Sequence, residues 1–306
     1  MAFERVVYRT LPDKSSGWVF PFHLSLEGME SVLLCRCDED YDHLEKSIYL
    51  AAYKCNVLVV IGIVMSNHGH AVLLAQDGSQ VVSMGELIKK RHSQYLSWKY
   101  HEKGILAASP VDIRNLDSDW YVRNALAYVV RNAVNTGSRI EDYRWSGYRA
   151  MFVGGRCPAG RKRVADMGRR EQNALFRTHE DLRAVPWIVN AEGSVEPVSA
   201  CDYQYLESAF ANDQAFFLKS VGTVNMAEMR QKLSLNTRVR QTDTQMLAII
   251  NEIAGRWYNL SLSQLTPERK AKLLPYLYRS YRTSIPQLAR CMQYPREVVS
   301  RLLSVP

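Results

Sequence analysis

Two histidines, His68 and His70, stand one residue apart in the run VLVVIGIVMSNHGHAVLLA. The flanks, 57–64 and 71–75, are short and rich in β-branched residues, so they read as two strands joined through Met65–Asn67. Strand side chains alternate between faces, which puts both imidazoles on one face and Gly69 on the other. Two imidazoles on one rigid face can hold a divalent metal ion. The plainer alternative is a pair of histidines that merely close a buried hairpin.

The surrounding elements must position that face. Residues 17–27 (GWVFPFHLSLE) read as a first strand, and 39–54 as a helix with Leu44, Ile48, Ala51 and Ala52 on its apolar side. The histidine hairpin follows, then amphipathic helices over 84–101 and 117–135. The second of these stops near Gly137, where glycine suits a left-handed cap. Strand, helix, hairpin and helix in this order predict an α+β domain, an antiparallel sheet covered by helices.

Composition sets outer limits. The 306 residues can bury a full core, and 47% of them are hydrophobic, as in an ordinary globular protein. The start, MAFERVVYRT, lacks the apolar stretch of a signal peptide, and no run of 18 or more apolar residues occurs. A cytoplasmic protein with no membrane partner is expected. The six cysteines contain no C-x-x-C pair, which argues against a zinc site. A net charge of +8 favours an anionic partner.

After Phe152 the composition shifts. GGRCPAGRKRVADMGRR (154–170) is glycine- and arginine-rich and reads as a basic, exposed linker. Residues 171–235 look mixed and mostly helical, notably 203–219. The C-terminal part is clearer: 242–258 and 267–281 are amphipathic helices, and 284–292 and 295–303 form a short pair around Gln293 and Tyr294. Such a pair, with hydroxyl or proline starts and basic residues, has the form of a helix-turn-helix; an ordinary helical bundle is the alternative. Arg290, Arg296 and Arg301 are its candidate DNA-binding residues. The expected organisation is 1–153, a connecting region over 154–235, and a helical unit over 236–306.

Read in series, F-H-L-S near Phe22, R-C-D-E-D-Y near Arg36, MSNHGH at 65–70, ALAYVVRNAV at 125–134 and EDYRWSGYRAMF at 141–152 carry a resemblance. Over residues 15–153 the chain resembles the single-tyrosine HUH transposases, and within them the REP-associated tyrosine transposases. Their pattern is an M-[PS]-N-H-x-H hairpin, a Y-I-x-x-N-P-V-R-A-G helix and a Y-x-W-S-S-Y segment. The resemblance implies a ferredoxin-like catalytic sheet. It implies a metal-dependent nuclease that cleaves and rejoins single-stranded or hairpin DNA through a 5′-phosphotyrosine.

By position, His68 and His70 match the metal-binding histidines, Tyr128 the nucleophile, and Asn132 the polar residue that completes the metal shell in relatives. Residues four apart share a helix face, so one helix can present both side chains. The implied Mg2+ or Mn2+ would polarise a phosphate oxygen. Lys89, Lys90 and Arg91 are candidate contacts to the strand, with a solvated helix face as the alternative. Duplex contact through the C-terminal unit is expected, and the active form is a monomer or a homodimer.

Two positions depart from the pattern. Gly69 stands where a bulky apolar residue is usual, and N-P-V-R-A-G is here Asn132-Ala133-Val134-Asn135-Thr136-Gly137. A domesticated regulator that binds DNA without cutting it is therefore the alternative function. Other hydrolases fit less well: a histidine triad needs a histidine at Val72, and H-E-x-x-H does not occur.

Overall fold

The computed structural model describes residues 3–27, 33–102, 104, 106, 109, 111–156, 161–223, 242–281 and 283–304. The first half runs β1 (Val7–Thr10), β2 (Ser16–Glu27), α1 (Asp38–Lys54), β3 (Leu58–Val64), β4 (His68–Ala75), α2 (Gly78–Tyr100), β5 (Val111–Asn115) and α3 (Asp119–Val134). The strands form one antiparallel sheet in the order β5–β2–β4–β3, while β1 pairs with the start of β2. Helices on both faces of this sheet make the α+β arrangement expected from the order of elements.

Local chemistry explains where the helices begin. Asp77 caps α2 by accepting from the amides of Ser79 and Gln80, so the helix starts at Gly78, six residues before its apolar periodicity becomes legible. Ser118 caps α3 in the same way, and three acids fill the first turn of α1, where the helix dipole favours them. Helices α1 and α2 pack together on one face of the sheet. Gly85 permits the contact: a Cβ there would lie 2.5 Å from Val111 Cγ1 and 3.2 Å from Leu24 Cδ1.

Helix α3 covers the other face. The chain then forms β6 (Lys162–Arg163), α4 (Arg169–Phe176), β7 (Ile188–Val189), α5 (Tyr203–Ala209) and α6 (Gln214–Thr223). Part of the segment read as an exposed linker is not exposed. Its Val164 and Met167 enter the first core, together with Phe176, Trp187, Phe210 and Phe217. The helical run expected over 203–219 is broken at 210–213, where Ala211 and Asn212 adopt positive φ. Helices α5 and α6 lie against α3, which is therefore buried nearly all round.

A second core closes separately around α7 (Asp243–Tyr258), α8 (Pro267–Ser280), α9 (Ile285–Met292) and α10 (Arg296–Ser304). Leu273, Leu274 and Leu277 meet Met246, Ile250, Leu288, Met292 and Val299 there. Gln293, in the left-handed region at φ 58°, ends α9. The boundary expected at 235/236 lies outside the described residues. No helix among the described residues is long and apolar enough to cross a membrane.

Candidate active site

Register decides which side chains share the histidine face. His68 and His70 lie within β4 itself, opposite Glu27 and Ser25 of β2, and Val72 lies opposite His23. Directly opposed residues point the same way, so His23, Ser25, Glu27, His68 and His70 line one face. On the far side of β2, Asp112 pairs with Ser25 and Arg114 with His23, which extends that face onto β5.

Helix α3 lays Tyr128 on this surface. Its ring centroid is 5.3 Å from His70 and 6.3 Å from His23, edge-to-face in both cases. His23 stacks on His70 at 5.2 Å, and His68 and His70 are 4.9 Å apart. The sequence-predicted nucleophile and both histidines are thus brought together. His23 joins them because β2 and β4 are in register, and the F-H-L-S block near Phe22 was the available signal for it.

Asn132 lies one helical turn beyond Tyr128. Its amide nitrogen donates to the carbonyls of Tyr128, at 2.9 Å, and Val129, at 3.4 Å. That engages the nitrogen with the helix and leaves Oδ1 as the atom able to ligate. His68 Nδ1 faces the side-chain oxygen of Asn67 at 3.0 Å, which places the proton on Nδ1 and the lone pair on Nε2. Two imidazoles and one amide oxygen are a donor set of the kind a divalent ion accepts. Among the described residues, no three His, Cys, Asp or Glu side chains form a metal-holding group.

The site is dry. His23, His68 and Tyr128 are fully buried, and His70 and Asn132 are nearly so. Burial pushes the His23 imidazole down to about 3, so it is neutral at pH 7. Neither His23 nitrogen nor Ser25 Oγ has a hydrogen-bond partner within the described protein, a costly state of about 1–3 kcal/mol per group. At the open end, burial and then the nearby Asp112 raise the half-buried Glu27 carboxyl above its ordinary range. Asp112 itself pairs with Arg114 at 3.1 Å.

Gly69 occupies the opposite face, paired with Leu26 and Val64. A Cβ there would meet only Ile63 O, at 3.4 Å, so the strand holds its register without a larger side chain. The proposed DNA contacts divide. Lys90 is exposed, Lys89 is half-buried beside a small apolar cavity, and Arg91 donates to the Phe176 carbonyl at 2.9 Å. Arg296 and Arg301 are exposed, whereas Arg290 is held by both oxygens of Asp243, at 2.7 and 3.0 Å.

No family model and no curated protein matches the chain. Among solved structures, that of a REP-associated tyrosine transposase bound to a REP hairpin is similar at 15% identity, over 52% of this chain and 89% of that one. The TM-score is 0.37, too distant a likeness to support an assignment.

Proposed function

We propose that the chain is a metal-dependent, single-tyrosine DNA-nicking and joining enzyme of the HUH transposase kind. The observation that carries this reading is the packing of the Tyr128 ring on His70, on the sheet face that also carries His68 and His23. The βαββαβ order with its β5–β2–β4–β3 sheet supports a ferredoxin-like catalytic unit. The α9–α10 pair supports a helix-turn-helix as a DNA-reading unit.

His68, His70 and the Asn132 oxygen would hold Mg2+ or Mn2+, which when bound supplies Lewis-acid polarisation of the scissile phosphate. Tyr128 Oη would attack phosphorus and form the 5′-phosphotyrosine, while the departing 3′-oxygen takes up a proton. A phenol of ordinary pKa about 10 is neutral at pH 7 and must lose its proton during attack. Helix α3 orients the ring toward the histidine face. Exposed cations such as Lys90 hold strand phosphates.

A second reading, a regulator that binds DNA without cutting it, is favoured by one observation. Tyr128 is fully buried where α3 meets the sheet, so attack on DNA requires this packing to open. The test is incubation of the protein with labelled single-stranded hairpin DNA from the gene's own flanks and Mn2+ or Mg2+, followed by a denaturing gel. A covalent adduct lost in Tyr128→Phe and with EDTA is the expected result. Hairpin binding without any adduct would overturn the enzyme in favour of the regulator.

A further inference from the structure

On the opposite side of the sheet from Tyr128, the outer layer contains a cavity of about 200 Å3 lined by His43, Arg91, Gln94, Tyr95, Trp98 and Arg177. Four of these come from α2 at spacings of three, four and seven, so they share one helix face. The floor is rigid: the His43 ring stacks on Tyr95 at 3.9 Å, and the Tyr95 hydroxyl donates to Asp40 at 2.9 Å. The wall is open, with Trp98 63% exposed.

Arg177 bridges wall and floor. Its guanidinium carbon lies 4.5 Å from the Trp98 ring centre and 5.2 Å from that of Tyr95. One terminal nitrogen pairs with Glu39 at 2.8 Å. The residue occupies the C-cap of α4 at φ 47° and ψ 52°, a left-handed position that favours glycine. An arginine kept there, with its side chain laid over an exposed indole, places a cation where the backbone alone would take a smaller residue.

We propose that this cavity is a subsite for one nucleotide of single-stranded DNA, its base stacked on Trp98 and its phosphate held by Arg177 and Arg91. The volume falls below the roughly 300–1,000 Å3 of pockets that take whole small molecules, but it suits one planar base. An indole face beside a guanidinium is the pairing that single-strand binders use without sequence readout. The exposed Lys90 and the net charge of +8 supply an attractive field for the rest of the strand. The subsite rests on the single-strand reading above. Because the sheet separates it from Tyr128, it contributes to affinity and not to the chemical step.

Arg91 and Arg177 also pin α4, through Phe176 and Glu39, so Trp98 is the more informative position: its exposed ring can be removed without opening the core. The experiment measures anisotropy of a labelled oligothymidylate in a Tyr128→Phe background, where nothing is cleaved. Trp98→Ala is expected to weaken binding about tenfold, the scale of one lost base stack. Arg177→Gln should weaken it and lower the slope of log Kd against log salt by about one phosphate contact. Thermal melting of both variants checks that α4 stays docked. Unchanged affinity and salt slope in both variants, with the parent binding tightly, would overturn the subsite alone. A parent that binds no single-stranded probe would overturn the proposed function with it.

Discussion

His43 and His92 lie in the helical layer, and His23 and His70 on the far face of the sheet. Both are pairs of buried imidazoles beside a tyrosine. In the helical pair the hydrogen bonds close. His92 Nε2 donates to the Leu34 carbonyl at 2.6 Å, and the two Nδ1 atoms meet at 3.1 Å, where one ring must donate and the other accept. On the sheet, His23 reaches no hydrogen-bond partner within the described protein with either nitrogen, and neither does the neighbouring Ser25 Oγ. Burial and residue type are alike, so neither distinguishes a packing histidine from a working one. Polar atoms kept in the core without protein partners are tolerated where a ligand or a reaction uses them.

The largest expected effect on this contrast is at Tyr128. Tyr128→Phe should reduce adduct formation at least a thousandfold while shifting stability by no more than about 1 kcal/mol, since only a hydroxyl is removed. Gel quantitation beside a urea melt reads both. A large stability loss would make the sheet cluster structural, like the helical one.

His92→Ala should behave oppositely. It leaves a hole in the α1–α2 layer and the Leu34 carbonyl without its donor, a loss of about 2–4 kcal/mol in urea unfolding. Adduct formed per folded molecule should not change. A selective loss of adduct would mean that the helical pair also serves the chemistry.

Acid probes the helical pair on top of the loss that the buried His23 of the sheet contributes with the same sign. Burial holds both His43 and His92 below the ordinary 6.5, with His92 adding to the depression of His43. The neutral rings therefore belong to the folded state. Their contribution is complete above pH 6.5 and is lost as pH falls below it, at up to about 1.4 kcal/mol per pH unit for each ring. Urea midpoints between pH 7 and 5 should fall accordingly, and less steeply in His92→Ala. An equal slope in that variant would remove the pair as the source.

The smallest effect concerns Gly69. Its β-region backbone and the 3.4 Å approach to Ile63 O admit a methyl group, so Gly69→Ala should stabilise by about 0.5–1 kcal/mol. A destabilised Gly69→Ala would show that the β4 strand needs glycine where it carries the histidines.

Much of the fold was legible locally. Short runs rich in β-branched residues marked β3 and β4, residues 17–27 were read as the strand that became β2, and periodicity marked α1, α3 and the four C-terminal helices within one or two residues. Two strands of the main sheet were missed, and so was the short β6–β7 pair. β5, VDIRN, is short and polar, and it becomes a strand only by pairing with β2. β1, VYRT, likewise depends on β2. The break between α5 and α6 carries no glycine or proline, because Ala211 and Asn212 take the left-handed turn instead.

The sequence by itself determined that His68 and His70 share a face and that Tyr128 and Asn132 share another, because strand and helix periods follow from the backbone. It also set the basic charge and the capped helix starts. Only the tertiary structure decided that these two faces meet, that His23 and Ser25 join them, and that α5 and α6 close over α3. Strand register and helix docking depend on contacts between residues distant in the chain, and those are fixed by burial of the whole core.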